Sequence, residues 1–493
     1  MLKSILPLSI ATFLSRITGF FRDYALYQII KPGPTLDIFF VAFRFPQLTR
    51  RFFAEGSFHQ SLLPVMGEAI KDDDQARYTE LYSQSFWFLT VTMLLLTLSM
   101  LFGGHTWVKY ILAPGFAQAQ QEVLVSALYW STPYSLSLSW ISLYALILQL
   151  NHSYWLNGLS PVLLNLAMVL AAWLYHGNLL AIVQSVFLIG WFQVALQAYC
   201  AHKIPGMTLR LQWPSLRTTS FNIVLKRFAS LSGLSIMILM NITIDQIYLS
   251  YAPVGSISVY YLCERMIELP IGILGYSLWS VFSTYYVRLV HQPIARIRLE
   301  HKIVLLIIYL IVPATVGIFL FAPEVMEFFI DPTSSLFMQS VNLLHIISLQ
   351  IMMIVLNKIF VIILTTNKRN KEILWIHAIG CIVNLSANAM LYTWGARGIA
   401  LSTVLTLLVQ LALFHMRYPF LARLLKMPRS LMLRPTLLLL ITIGALTLCS
   451  SLSKFLPKGI LYLPMLMSIL CSITALYLAS MQRFFQYLNN RIH

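Results

Sequence analysis

Charge is what this chain has least of. Of 493 residues only 10% are Asp, Glu, Lys or Arg, where a soluble domain carries about a quarter. Acids are the scarcer half, 17 against 34 Lys and Arg, for a formal charge of +17. Cysteine is sparse as well. The five, Cys200, Cys263, Cys381, Cys449 and Cys471, lie at scattered spacings in apolar segments, which excludes a disulfide framework and a CxxC metal site. No GxxxxGK[ST], HExxH or GxSxG is present, so the chain carries no phosphate loop for ATP, no zinc-protease helix and no nucleophile elbow. His59, His152 and His377 stand alone and read as interfacial or core residues. The polar loops are too short to build a soluble domain. The excess of base therefore reflects the positive-inside bias of a membrane protein, and no nucleic-acid partner is expected. The apolar N-terminus is interrupted by arginines and followed directly by further spans, so it does not read as a cleavable signal.

What is abundant is apolar surface: 58% of residues are hydrophobic and the mean hydropathy is +0.76. These values describe an all-α polytopic membrane protein. Windows of about 19 residues predict fourteen transmembrane helices, at 4–30, 35–65, 79–103, 122–150, 156–176, 179–201, 220–250, 256–287, 302–322, 336–365, 372–393, 397–417, 433–453 and 459–481. Gly19 and Pro46 predict bends or breaks in the first two. With both termini in the cytoplasm, 22 basic residues fall on the cytoplasmic side and 5 (Lys31, Lys109, Arg397, Lys454 and Lys458) on the other. That asymmetry predicts the orientation and an even number of spans, with the loops 202–220, 288–301 and 418–432 cytoplasmic.

Thirteen charges lie inside the spans: Arg16, Arg22, Arg44, Arg50, Arg51, Arg265 and Lys358, with Asp23, Asp37, Glu55, Asp245, Glu264 and Glu268. At roughly 3 kcal/mol each, facing lipid would cost on the order of 40 kcal/mol. They must face one another or water. Arg16 and Asp23 share a helix face, as do Ser15 and Arg22. The two arginines stand about 120° apart on an unbroken helix, and a bend at Gly19 would bring both to one cavity. Guanidinium forks suit phosphate oxygens. Charge-paired packing without a ligand is the alternative.

An internal repeat joins "FFVAFRFP" (Phe39–Pro46) to "YYLCERMIELP" (Tyr260–Pro270), each an aromatic pair followed by Arg and Pro, at an offset of 221 residues. It predicts two six-helix lobes, 1–203 and 204–418, around a central cavity, with the last two helices in 419–493 left over.

"SRITGFFRD", "DIFFVAFRFPQLTRRFFAEGSF", "APGF" (Ala113–Phe116), "SPVLLN" (Ser160–Asn165) and "YYLCERMIELPIGILG" resemble the MurJ (MviN) lipid II flippases of the MOP superfamily. The resemblance implies a transporter, not an enzyme, that moves lipid II, a polyprenyl pyrophosphate bearing the peptidoglycan disaccharide-pentapeptide, across the bacterial inner membrane by alternating access. The chain is expected to act as a monomer, with no cofactor unless it is sodium. The family's cavity arginines match Arg16, Arg22, Arg50 and Arg265, and Asp37, Ser258 and Glu268 match other cavity positions; Ser15 and Asp23 lie beside them. A groove between the last two helices would hold the lipid tail. Lys358 matches a buried family lysine, whereas Gln47 and Thr284 depart from the usual Asn and Pro. Asp245 matches a position that ligates sodium in some members, and Asn384 and Asn388 share a helix face. They are either a sodium site or a polar helix contact; the membrane potential alone is a sufficient drive, at roughly 4.6 kcal/mol per 100 mV for a head with about two negative charges. A scaffold that does not transport, and an exporter of another lipid-linked saccharide, are the competing readings.

Overall fold

The computed structural model describes residues 2–54, 56–153, 155–204, 209–213 and 219–419, with a few positions between 440 and 447. Among these the structure is helical. Chains in lipid satisfy their backbone polar groups within each segment, and a long apolar run without turn residues has the helix as its only open solution.

The helices group into two compact units. The first comprises Met1–Leu262 with Asn384–Ile399. It contains α1 (Leu2–Ile29), α2 (Pro34–Thr49), α3 (Ser57–Lys71), α4 (Gln75–Trp107), α5 (Gln118–Leu150), α6 (Trp155–Leu174), α7 (Leu179–His202), α8 (Thr219–Leu249) and the first half of α9 (Ser256–Pro270). α5 is its most buried span and packs on α2, α4 and α7; α1 packs on α6, and α3 on α8. Without a hydrophobic drive between helices in lipid, close approach comes from small residues. Gly190 of α7 is one: a Cβ there would collide with Tyr134 and Ser137 of α5. The "APGF" turn closes on α8. Gly115 N–H donates to Ser250 Oγ at 2.9 Å, and a side chain at Gly115 would strike the Ser250 backbone.

The second unit comprises Cys263–Val383 and the described residues from Ala400 onward. It holds the rest of α9, α10 (Tyr276–Arg288), α11 (Pro293–Leu320), α12 (Ala322–Glu327), α13 (Phe337–Ser348), α14 (Gln350–Thr366), most of α15 (Asn370–Leu391) and most of α16 (Ala396–Arg417). α14 is sandwiched by α10, α11 and α13. At the end of α11, Phe321 packs on Leu446.

Nine helical segments among the described residues are long and apolar enough to cross a membrane. They coincide with the predicted spans 3–7 and 9–12. Predicted spans 1, 2 and 8 are helical too, as α1, α2 with α3, and α9 with α10; these are the segments in which the in-span arginines concentrate. The last two predicted spans, and with them the tail groove, lie outside the described residues save for the few positions near 440–447. The chain is a multi-pass membrane protein.

α1 runs as one helix through Gly19 without the expected break. Pro46 does disturb α2, four residues late. The helix passes Pro46 and slips into a π-turn over Arg50–Ala54 before α3 begins. A second π-turn, Ile271–Gly275, follows Pro270, and a third, Val108–Leu112, follows the kink at Gly103. Each follows a residue that weakens the i to i−4 ladder, which lets the register slip. The π-turns beginning at Arg50 and Ile271 are separated by the same 221 residues as the sequence repeat.

Candidate substrate-binding site

Arg22 is the best-anchored arginine, 6% exposed on α1. Its Nε and Nη2 donate to Asp23 Oδ1 at 2.9 and 2.5 Å. Nη1 donates to Asn165 Oδ1 on α6 at 3.0 Å, and Nη2 lies 3.5 Å from the Tyr261 hydroxyl on α9. Asn165 turns its Nδ2 back on α1, to Thr18 Oγ1 at 3.3 Å and the Ser15 carbonyl at 3.4 Å. Both guanidinium donors to Asp23 converge on one oxygen, so this is an orienting contact and not the parallel two-oxygen pairing an Arg fork makes with a carboxylate or phosphate. Arg16 is exposed on another face of α1, as the unbroken helix requires. Arg50 is half-buried and opens the π-turn after α2, close enough to Tyr134 of α5 to interact electrostatically.

Asp37 does something the sequence did not suggest. Only 2% exposed, it faces the N-terminus of α9: Gly255 N–H donates to Oδ2 at 2.6 Å and Ser258 N–H to Oδ1 at 2.7 Å. A carboxylate across two orphan amides at a helix start is a favourable charge–dipole arrangement. Ser258 contributes its backbone; its hydroxyl is turned to the Gly255 carbonyl at 2.9 Å, while its own carbonyl accepts from Tyr27. Asp37 and Ser258 are repeat-equivalent, 221 residues apart. So are Phe40 and Tyr261, whose rings stack with centroids 3.9 Å apart at 22°. Equivalent residues touching one another mark a local two-fold axis between α2 and α9.

In the second unit, Arg265 Nη1 donates to Glu268 Oε2 at 2.7 Å, one turn along α9. Arg265 is half-buried and Glu268 exposed.

Asp245 of α8, with Asn384 and Asn388 of α15, forms a buried cluster in the first unit. Both amides present nitrogen to the acid: Asn384 Nδ2 and Asn388 Nδ2 lie 2.9 and 2.8 Å from Asp245 Oδ1, and Asn388 Nδ2 donates also to Asn384 Oδ1 at 3.2 Å. A hard cation asks for converging oxygens. Here Asp245 Oδ1 and the Asn384 carbonyl accept from the neighbouring amides, which ties the three side chains together between α8 and α15. They form the polar helix contact. Among the described residues no group of three or more His, Cys, Asp or Glu could hold a metal, and Cys200, Cys263 and Cys381 are free thiols.

Asn165 and Tyr261 were not assigned roles from sequence. A lone Asn in an apolar span was the available signal for the first; Tyr261 had none beyond its place in the repeat.

The family model described as "Lipid II flippase MurJ" matches residues 28–473. The chain belongs to the MurJ family. Similar MurJ relatives include the "Probable lipid II flippase MurJ" of Buchnera aphidicola subsp. Schizaphis graminum, 31% identical over 297 residues, and that of Vibrio cholerae serotype O1, 29% identical over 293. These alignments cover 58% and 57% of this chain and 56% and 55% of the relatives, so the chain spans little more than half the length of the curated relatives it matches. Among solved structures, "Lipid II flippase MurJ, inward closed conformation" superposes with a TM-score of 0.76 at 18% identity, over 97% of this chain and 98% of that one. An inward-facing MATE-family transporter of the MOP superfamily gives 0.67 at 13%, over 85% and 98%. At these identities the likeness establishes the MurJ-type fold.

Proposed function

We propose that this protein flips lipid II from the cytoplasmic to the outer leaflet of a bacterial inner membrane by alternating access. The observation that carries the reading is Arg22, a guanidinium held inside an apolar bundle by Asp23 and Asn165 in a chain of the MurJ family. An arginine kept charged and oriented there is suited to a pyrophosphate. Arg16, Arg50 and Arg265 join it as phosphate ligands; Ser15, Asp23, Asp37, Ser258 and Glu268 position them or the helices that carry them. The chain works as a monomeric transporter of two six-helix lobes, 1–203 and 204–418, with the tail groove in 419–493 and both termini in the cytoplasm.

Coupling runs through the membrane potential. A head carrying about two negative charges gains roughly 4.6 kcal/mol per 100 mV on leaving a negative-inside cell. The deciding experiment is complementation of a cell depleted of its lipid II flippase, with leaflet labelling of lipid II as the readout. Restored growth with lipid II reaching the outer leaflet supports the reading. A folded, inserted protein that leaves lipid II inside refutes it. Flipping that ignores sodium and stops when the potential is collapsed supports the electrophoretic drive; strict sodium dependence lost in Asp245→Asn would restore the ion.

A further inference from the structure

Among the described residues, one in-span cation makes no hydrogen bond or ion pair: Lys358. Each of the other six basic residues within the spans makes polar or electrostatic contacts with its surroundings. Lys358 lies eight residues, about 12 Å, from the end of α14, too deep to be a terminal lysine reaching for the interface. Most of α14 is buried, and Lys358 lies on its exposed stripe with Thr365. A charge at that depth faces water, not lipid. Its ammonium lies 5.9 Å from the centroid of the Trp279 ring on α10. Trp279 is fixed by its Nε1–H to the Val355 carbonyl at 3.3 Å and meets Tyr276 edge-to-face at 4.8 Å. Tyr276 is 61% exposed. The π-turn Ile271–Gly275 directly precedes Tyr276 and sets the register of this aromatic pair. His377, a second base, is close enough to interact electrostatically with Lys358. The neighbourhood offers a cation, a second base and an exposed aromatic face.

We propose that Lys358, Trp279 and Tyr276 form a subsite for a carboxylate-bearing part of the substrate head, distinct from its pyrophosphate. The inference rests on the flippase reading and extends it. An ammonium is a compact point charge without the fork that favours phosphate, and it suits a single carboxylate. The exposed phenol of Tyr276 presents a flat apolar face with a polar edge, fitted to pack on a sugar ring or a peptide beside that carboxylate, while the buried indole of Trp279 braces the phenol and the ammonium from behind.

Equilibrium binding to the full chain in nanodiscs tests this with two probes: a bare short-chain polyprenyl pyrophosphate, and the same lipid bearing the disaccharide-pentapeptide. Lys358→Gln should weaken the second about tenfold and leave the first unchanged, and Lys358→Arg should recover most of the loss. Amidating the probe's carboxylates should weaken wild-type binding to the Lys358→Gln level. A peptide-free disaccharide lipid, its lactyl carboxyl capped as an amide just as the pentapeptide caps it, should bind wild type and Lys358→Gln alike; sensitivity kept there overturns the carboxylate assignment. Equal weakening of both main probes, or of neither, with the variant's thermal stability unchanged, overturns the subsite. If Lys358→Gln melts lower and weakens both probes together, the lysine is structural and the subsite is again wrong. If wild-type protein binds neither probe, the flippase reading has itself failed, and the subsite with it.

Discussion

At the residue scale, two carboxylates of similar sequence context have different duties. Asp23 orients Arg22, and Asp37 holds the start of α9. Arg22→Ala leaves Asp23 charged and buried and takes the donor from Asn165. Breaking a buried pair in this way costs roughly 3–5 kcal/mol. The variant should melt lower in detergent and lose flipping, and Arg22→Lys should recover stability more fully than transport, because the ammonium keeps the charge and loses the fork. Wild-type flipping by a stable alanine variant would remove Arg22 from the substrate path. Asp37→Ala should cost about 1–3 kcal/mol by exposing two buried amides without acceptors, and Asp37→Asn less, since one carbonyl oxygen remains. Ser258→Ala should be nearly silent in a thermal melt, because the serine contributes its backbone N–H. A loss as large as that of Asp37→Ala would show that the hydroxyl matters. Which of these acids met an arginine was not readable along the chain: both lie in apolar spans near arginines, and only the packing of α2 on α9 separates them.

At the scale of elements, the π-turns matter more than the helices around them. A single-residue slip turns every following side chain by about 100°. Arg50 opens one such turn, and Tyr276 follows another. Pro46→Ala restores the missing N–H and should draw α2 toward a regular helix. Spin-label distances between α2 and α5 should then shift, and flipping should fall while the melting temperature holds or rises. Unchanged distances would mean that packing against α5, not the proline, imposes the π-turn. Pro46 was visible in the sequence as a disturbance; its place four residues on was not, because the slip settles where the neighbouring helix leaves room. Gly19 taught the reverse. A glycine inside an apolar span weakens a helix by only about 1 kcal/mol, and α1, packed on α6, continues through it.

At the scale of the molecule, the membrane sets the problem and the repeat sets the solution. Within the first unit, helices α2 and α9 meet about a local two-fold axis through Asp37–Ser258 and Phe40–Tyr261. The charge bias of 22 to 5 predicts that single cysteines placed in 202–220 or 288–301 resist an impermeant thiol reagent in intact cells and react after permeabilisation. Labelling of either loop from outside would invert the orientation and the direction of transport derived from it.

Composition and order alone determined that this chain is helical and spans a membrane many times, where nine of its spans lie, that an aromatic–Arg–Pro motif recurs at an offset of 221 residues, and that arginines sit where lipid would otherwise be. These follow from insertion free energy, which sums over one segment at a time and is blind to neighbours. The tertiary structure alone decided that Asp37 serves a helix end, that Asn165 and Tyr261 complete the surroundings of Arg22, that Asp245 is met by amide nitrogens, and that Lys358 stands beside an indole. Hydrogen bonds and ion pairs form or fail within a few tenths of an ångström, between residues as far apart as 239 positions in the case of Arg22 and Tyr261. That geometry exists only once the helices have packed.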